Sequence, residues 1–336
     1  MLQKVKQLNL ACGQTYLANF TGHNTLLELG DVFMSRETAP GTRPYRFADF
    51  QNPSDIKKRV MTICTMAGCP MTCSFCASRQ SFIKHLSAEE IVEQVEFLIQ
   101  EGVSNNRHPD PVCTNEFRIL FTRMGEPLLN SDNVLKAMYA LQQRFPNVIF
   151  GLSTCGIKRN INRLLDHPQV MNATDLQISV HSTSDRQREA LFRQKMGGTL
   201  LTIPEIADFT GLYYKKFKKK LSLNFILFKG FEYNFKDLTD RLSKEQFWVR
   251  LSPWNIVKGV HMYEGLLKTE DIIAKKPLSS SELKKIIEQL NHLGIAYAYA
   301  PAIDEEIKYN VACGQALEAF EFDNLENRME YAAHTT

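Results

Sequence analysis

The chain has 336 residues, of which 44% are hydrophobic and 23% charged, the composition of an ordinary globular protein with enough length for a large core. Its net charge of +3 permits binding to nucleic acid without arguing for it. No apolar run approaches the roughly 20 residues that span a bilayer, and the first residues contain no apolar signal-peptide core. Eight cysteines, three of them clustered, do not form the pattern of a secreted disulfide framework, so we expect a cytoplasmic protein.

The predicted elements begin with short strands at residues 25–29 and 32–34, inside a small N-terminal extension (1–55). A strand over residues 59–64 then leads into a cysteine-rich loop. A capping box at residues 87–90 starts a helix that Gly102 is predicted to end. Further strands are predicted at 117–122, 148–153, 176–180, 221–227, 247–251 and 295–299, with helices at 161–165, 204–214, 235–242 and 280–293 and others starting at 132 and 185.

Strands that alternate with helices predict β-α-β units and a parallel sheet, and hence an α/β fold. The six strands from residue 59 to residue 251 predict a partial (β/α)6 TIM-like barrel over residues 56–300, followed by a C-terminal segment at 301–336. Ligands in such folds bind at the carboxyl ends of the strands. The cysteine-rich loop and the polar residues that follow the second, third and fourth strands should therefore share one rim.

The cysteine-rich loop, residues 69–76, reads CPMTCSFC and places Cys69, Cys73 and Cys76 at spacings of four and three residues. Thiolates are ligands for zinc and for iron–sulfur clusters. Structural zinc normally takes four protein ligands in two short pairs, and no second pair follows here. Three thiolates on a four-iron cluster leave one iron open for a substrate or cofactor. The alternative interpretation is a structural zinc knot or a chance group of buried thiols.

The three cysteines resemble the CxxxCxxC signature of radical S-adenosylmethionine (SAM) enzymes. Four further motifs extend the resemblance, in chain order, to the RlmN/Cfr-like dual-specificity RNA methyltransferases: MGEPLLN at 124–130, LSTCG at 152–156, ISVH at 178–181 and ACGQ at 312–315. The resemblance runs from about residue 58 to about residue 318. It makes the predicted barrel one of the radical SAM type.

The resemblance implies a 4Fe–4S cluster held by Cys69, Cys73 and Cys76, with SAM as the second cofactor. It implies an adenine of rRNA or tRNA as the substrate, methylated at carbon 2 or carbon 8. It also implies a flavodoxin-type electron donor and no membrane partner. The residues that it assigns to SAM contact are Gly125, Glu126, Ser153, Ser179, His181 and Asn255.

The resemblance gives Cys313, in the ACGQ motif, the role of methyl carrier. One SAM would methylate its sulfur, the radical from a second SAM would take a hydrogen from that methyl group, and the carbon radical would add to adenine. A thiolate suits this role because it is a good nucleophile toward a sulfonium methyl group. The alternative is that Cys313 is a small buried hydrophobic residue. A second ACGQ, at residues 11–14, lies outside the region of resemblance and is interpreted as chance.

Three features depart from the family pattern. The family's second catalytic cysteine, which resolves the protein–RNA adduct, would fall at Thr62, seven residues before the first cluster ligand. Cys64 lies two residues on, on the same strand face and about 7 Å away, and either takes that role or is a core thiol. Arg123 stands where the family has glycine. Only about 55 residues precede the matched core, where the family has a longer RNA-holding domain.

Two other functions stay open. A radical SAM enzyme acting on a small molecule or peptide would keep the cluster without the RNA substrate. A non-catalytic zinc or RNA-binding protein would use the three cysteines for structural zinc, and metal analysis separates it from the enzymes.

Overall fold

The computed structural model describes residues 1–10, 13–21, 26–34, 58–71, 73–76, 82–104, 116–192, 199–254 and 278–300. Twelve strands lie in these residues: β1 (Leu2–Leu10), β2 (Gly13–Phe20), β3 (Leu27–Met34), β4 (Lys58–Ile63), β5 (Met66–Ala67), β6 (Lys84–His85), β7 (Glu116–Phe121), β8 (Ile149–Thr154), β9 (Thr174–Ser179), β10 (Leu221–Leu227), β11 (Phe247–Pro253) and β12 (Tyr297–Tyr299). The same residues contain eight α-helices: α1 (Ala88–Ser104), α2 (Ser131–Arg144), α3 (Lys158–Ile161), α4 (Pro168–Asn172), α5 (Asp185–Leu191), α6 (Ile203–Phe217), α7 (Lys236–Thr239) and α8 (Ser280–Leu293). None of the helices in these ranges is both long enough and apolar enough to cross a membrane.

Ten of the strands form one sheet, in the order β1-β2-β3-β4-β7-β8-β9-β10-β11-β12. From β4 to β12 every neighbouring pair is parallel, whereas β1, β2, β3 and β4 pair antiparallel. The predicted α/β fold with a parallel sheet is therefore confirmed. Since β1 and β12 lie at opposite edges, the sheet is open, as a partial barrel requires.

The parallel strands have one apolar and one polar face, because successive side chains of a strand point to opposite sides. In β9, for example, Leu176 and Ile178 are buried, whereas Gln177 and Ser179 are half-buried. Buried and less buried residues alternate in the same way in β7 and β11. The apolar side chains share one core with those of α1, α2 and α6. The alternate polar side chains therefore lie on the face away from these helices.

Helix α1 begins at the capping box that the sequence predicts. The Ser87 amide donates to Glu90 Oε2 at 2.9 Å, and the Glu90 amide donates to Ser87 Oγ at 3.2 Å. The predicted end of the helix at Gly102 is wrong, because α1 continues to Ser104. A Cβ atom on Gly102 would lie 2.8 Å from Arg59 Nη2. This glycine therefore gives space to a buried arginine and does not end the helix.

The N-terminal strands are part of the main sheet, because β3 pairs with β4. A buried ion pair joins these two strands: Arg59 Nη2 lies 2.7 Å from Asp31 Oδ2, and both side chains are 0% exposed. The same guanidinium donates to the Leu98 carbonyl of α1 at 3.3 Å and lies 5.0 Å from the centre of the Phe33 ring. The boundary of the predicted extension at residue 55 stays a prediction.

Replacement of Asp31 by alanine should lower the free energy of unfolding by about 3–5 kcal/mol, because it leaves Arg59 as a buried cation without its charged partner. Urea denaturation followed by circular dichroism measures this loss. Asp240→Ala, which breaks the exposed pair of Lys236 and Asp240, is the control and should cost at most about 1 kcal/mol. Equal losses in the two variants would contradict the structural role of the buried pair.

Candidate active site

The cysteine-rich loop leaves the carboxyl end of β4 beside the segment that follows β7. The backbone amide of Thr65 donates to the Met124 carbonyl at 2.9 Å, and that of Gly68 lies 2.9 Å from Met124 Sδ. Met124 is itself buried. These contacts hold the two strand ends together and place Cys69 beside Gly125, as the shared-rim prediction requires.

The thiols of Cys69, Cys73 and Cys76 are half-buried and act on one another electrostatically. Burial raises the pKa of Cys73 well above its ordinary value, and the charges of Cys76 and Cys69 raise it further. Burial likewise raises the pKa of Cys69 to about 11, against the backbone amides of Met71 and Gly125, which favour its thiolate. Sulfurs that repel one another in this way suit a cationic group between them, because a bound metal deprotonates its thiol ligands.

The donor set fits a four-iron cluster, because three thiolates on such a cluster leave one iron open. Among the described residues, no three His, Cys, Asp or Glu side chains form a ready-made site for a single metal ion. In a four-iron cluster each thiolate binds a different iron, so the sulfurs are spread more widely.

Gly125 adopts a backbone conformation that only glycine takes easily, with φ at +106°. A Cβ atom there would lie 2.5 Å from Thr65 Oγ1 and 2.8 Å from Met66 Cγ. Glycine is therefore required for the close packing of this segment on the start of the cysteine-rich loop.

The Glu126 carboxylate is buried and bonded to two strand ends. It accepts hydrogen bonds from the Leu128 amide at 3.0 Å, from the Cys155 amide at 2.9 Å and from the Thr154 hydroxyl. Burial raises its pKa, and these three bonds act in the opposite direction. The carboxylate therefore joins the ends of β7 and β8 and fixes the position of the peptide groups of residues 125–126.

The predicted SAM residues Ser153 and Ser179 lie on the polar face of the sheet. Ser153 pairs in register with Gln177, and Ser179 pairs with Asn224. Gln177 Nε2 donates to Ser153 Oγ at 2.9 Å, and Ser252 Oγ donates to Asn224 Oδ1 at 3.2 Å. Sequence reasoning missed Gln177, Asn224 and Ser252. The alternation of polar and apolar residues along each strand could have predicted that these three side chains lie on the polar face.

His181 is buried at 2% exposure, with a φ of +63° that is uncommon outside glycine. Its Nδ1 accepts a hydrogen bond from the Ile226 amide at 3.0 Å. The ring stacks on Phe192 at 5.4 Å and meets the edge of Phe75, in the cysteine-rich loop, at 5.0 Å. Burial, together with the charge of Arg188, lowers the pKa of His181 to about 3, so the ring is neutral.

Two of the departures from the family pattern contact each other. Arg123 Nε donates to Thr62 Oγ1 at 2.8 Å, and its Nη1 forms an ion pair with buried Glu28 of β3. A Cβ atom on Gly30 would lie 2.6 Å from Thr62 Oγ1 and 2.7 Å from Arg123 Nη2. Thr62 and Arg123 therefore belong to one packed unit with β3.

Cys64 lies in the core, and its Sγ donates to the Glu28 carbonyl at 3.1 Å. Its backbone amide and carbonyl are both bonded to the Gln94 side chain of α1. Burial raises the pKa of this thiol to about 12, which opposes thiolate formation. The catalytic role of Cys64 stays a prediction that this environment disfavours. Cys313 and Asn255 lie outside the described residues.

Residues 63–242, more than half of the chain, match the profile of the Radical SAM superfamily. The chain therefore belongs to this superfamily, whose members bind a 4Fe–4S cluster and SAM. The two cofactors expected from the motifs are thereby confirmed.

Curated relatives of this chain include proteins named as probable dual-specificity RNA methyltransferases RlmN. A probable RlmN of Heliobacterium modesticaldum is 32% identical over 214 residues, which cover 60% of this chain and 52% of that protein. A probable RlmN of Trichodesmium erythraeum is 28% identical over 266 residues, 77% of this chain and 68% of that protein. The resemblance to RlmN/Cfr-like proteins is confirmed, although the chain spans only about half the length of the first relative.

A solved structure shares the fold. The crystal structure of a radical SAM methyltransferase from Sphaerobacter thermophilus superimposes with a TM-score of 0.69. The match covers 94% of this chain and 80% of that chain at 19% sequence identity. The radical SAM fold predicted from the motifs is confirmed.

The buried state of His181 predicts a pH dependence of stability. Between about pH 6.5 and pH 3 an unfolded histidine takes up a proton that buried His181 does not, so acid favours unfolding. The free energy of unfolding should therefore fall as pH is lowered, with His181 contributing a slope of about 1.4 kcal/mol per pH unit.

His181→Asn should remove this part of the slope, since asparagine tolerates the positive φ and does not titrate. Urea denaturation of both proteins at intervals from pH 6 to pH 4.5 measures the difference. His292→Asn, in the exposed last turn of α8, is the control. A His181→Asn variant with the wild-type slope would show that His181 is not held neutral in the folded protein.

Proposed function

We propose that this chain is a radical SAM methyltransferase that uses a methyl-cysteine on Cys313 to methylate an adenine carbon, carbon 2 or carbon 8, in rRNA or tRNA. The observation that supports it most is the placement of the three clustered thiols beside residues 124–126, on the rim that also carries the polar ends of β8 and β9. The RlmN relatives, which are named as RNA methyltransferases, support methyl transfer and RNA as the substrate class.

Each part of this rim has a task in the proposal. Cys69, Cys73 and Cys76 hold the cluster, and the peptide groups of residues 125–126 bind the amino group of SAM. When bound and reduced, the cluster and SAM supply a 5′-deoxyadenosyl radical. His181 accepts a hydrogen bond at Nδ1, so its proton is on Nε2, and this N–H is its remaining donor for a ligand.

Ser153 and Ser179 contribute hydroxyl groups to the SAM site from the carboxyl ends of β8 and β9. Each hydroxyl can donate one hydrogen bond and accept others, which suits the hydroxyl and amine groups of SAM. Asn255 belongs to the same proposed set and follows directly on Trp254, beyond the end of β11.

Cys313 accepts the methyl group in the first half of the proposed reaction. With SAM bound, the thiol of Cys313 would lose a proton and its sulfur would take the methyl group from the sulfonium sulfur. S-adenosylhomocysteine would leave, and the chain would keep a thioether. A flavodoxin-type protein remains the predicted electron donor.

The step that releases the product from the protein has no assigned thiol. At the family position Thr62 carries a hydroxyl that is bonded to Arg123. Cys64, the predicted substitute, donates to a backbone carbonyl in the core. These bonds favour the core-thiol interpretation of Cys64 and distinguish this chain from a simple two-cysteine enzyme.

The same two departures favour a second candidate, a radical SAM enzyme that acts on a small molecule or peptide. Arg123 and Thr62 replace the glycine and the cysteine that the RNA methyltransferases carry, and Glu28 fixes them in place. RNA binding discriminates between the candidates, because phosphate contacts make affinity fall steeply with salt. Tight, salt-sensitive binding of rRNA or tRNA would support the first candidate.

The methyl-carrier proposal predicts a methylated cysteine in the tryptic peptide of residues 309–328, which contains Cys313. Mass spectrometry of protein expressed with ample iron and purified without air should find the peptide heavier by one methyl group. Cys69→Ala should abolish the formation of 5′-deoxyadenosine, because the reductive cleavage of SAM requires the cluster. An unmodified Cys313 in protein that holds its cluster and cleaves SAM would contradict the proposal.

The buried environment of Cys64 predicts that the Cys64→Ala enzyme still cleaves SAM and still methylates Cys313. Formation of 5′-deoxyadenosine and methylation of Cys313 should stay near wild-type levels, while the free energy of unfolding falls by about 0.5–3 kcal/mol because a core side chain is shortened. Denaturing gels with labelled RNA provide the second readout. Accumulation of a covalent protein–RNA adduct in Cys64→Ala, but not in the wild-type protein, would instead assign the resolving role to Cys64.

A further inference from the structure

Arg188, in α5, is a buried cation held by backbone carbonyl groups. Its side chain is 1% exposed. Nε donates to the Val180 carbonyl at 3.1 Å, Nη2 to the Cys155 carbonyl at 3.2 Å, and Nη1 to the Leu201 carbonyl. Within the described residues, its hydrogen bonds go to uncharged oxygens. Asp185 and Glu189 of the same helix act on its charge but are not among these hydrogen-bond partners. A buried charge whose direct partners are neutral is costly, so this placement calls for an explanation.

The carbonyl groups that Arg188 holds belong to the rim of the site. Cys155 and Val180 are the first residues after β8 and β9, two residues after Ser153 and one after Ser179, the predicted SAM residues of these strands. The Cys155 amide is bonded to Glu126. Arg188 therefore fixes the carbonyl side of a peptide segment whose amide side is fixed by Glu126.

The next turn of α5 contacts the cysteine-rich loop. The Ser74 amide donates to the Leu191 carbonyl at 2.9 Å, and Ser74 is the neighbour of Cys73. The Phe75 ring lies 5.7 Å from that of Phe192, which directly follows α5. Arg188 and Leu191 are one helical turn apart, a rise of about 4.5 Å. Arg188 is thus connected to the cysteine-rich loop through one turn of α5 and the hydrogen bond from Ser74 to Leu191.

We propose that Arg188 is a positioning residue whose buried positive charge sets the reduction potential of the cluster. This inference rests on the cluster ligands named in the proposed function. Three thiolates make the cluster negative overall, and uptake of one electron from a one-electron donor makes it more negative without forming or breaking a bond. A nearby cation stabilises the reduced state more than the oxidised state, because net charge and local electrostatics set such potentials. The cluster is in turn an opposite charge for Arg188, in addition to Asp185 and Glu189 of the same helix.

The test is a potentiometric titration of the cluster, followed by electron paramagnetic resonance, on anaerobically loaded full-length protein without RNA. Arg188→Gln removes the charge and should lower the midpoint potential. The ratio of reduced to oxidised cluster at a fixed potential should fall about tenfold, which is about 59 mV for a one-electron couple. Arg188→Lys retains the charge and should restore the wild-type potential. Arg186→Gln removes an exposed charge from the same helix and is the matched control.

A loaded Arg188→Gln variant with the wild-type potential would overturn the proposal, as would an equal fall in Arg188→Lys. If Arg188→Gln holds no cluster, Arg188→Lys decides. If the lysine variant binds a cluster with the wild-type potential, the role of the charge is supported. If the lysine variant also binds no cluster, Arg188 is needed for folding only. Neither RNA nor Cys313 enters the measurement, so a failure of methyl transfer leaves its outcome intact.

Discussion

The buried carboxylate of Glu126 is the constraint on which the rest of the site depends. A carboxylate removed from water needs hydrogen-bond donors, and the donors available are the amides and the hydroxyl at the start of the turn after β7 and at the end of β8. Satisfying it fixes the two strand ends against each other and holds Gly125 at its positive φ. The peptide groups of residues 125–126 then hold their positions without the entropy of a mobile side chain.

The departures at Thr62 and Arg123 have one physical origin. The guanidinium bonds the Thr62 hydroxyl and pairs with Glu28, and Gly30 leaves the space that both need. Since Glu28 and Gly30 lie on β3, the N-terminal strands supply half of this unit. Restoring a cysteine at position 62 alone would remove an acceptor from Arg123, and restoring a glycine at 123 would remove the cation that pairs with Glu28. A change at one of these positions therefore affects the others.

The sequence predicted correctly those elements that are determined by the residues of the segment itself. Strand β10 has the predicted bounds, residues 221–227, because buried residues of high strand propensity fill it. Strand β1, Leu2–Leu10, was missed because it is mostly exposed and its stability comes from pairing with β2. Gly102 was wrongly predicted to end α1, because the glycine is needed to make space for a buried arginine of another element. The cysteines and the motif after β7 could be found by spacing, whereas Gln177 and Asn224 join the site only through the register between strands.

The polar face of the sheet limits which ligands the site can accept. On this face Gln177 donates a hydrogen bond to Ser153, and Ser252 donates one to Asn224. The Ser222 hydroxyl, by contrast, is buried and has no hydrogen-bond partner among the described residues. An apolar ligand on this face would leave such groups without water, at about 1–3 kcal/mol for each unsatisfied group. A ligand with hydroxyl, carboxylate or ring-nitrogen groups replaces the water it displaces. The alternation that buries the apolar core therefore also selects a polar occupant for the opposite face, and SAM and a nucleoside both meet that requirement.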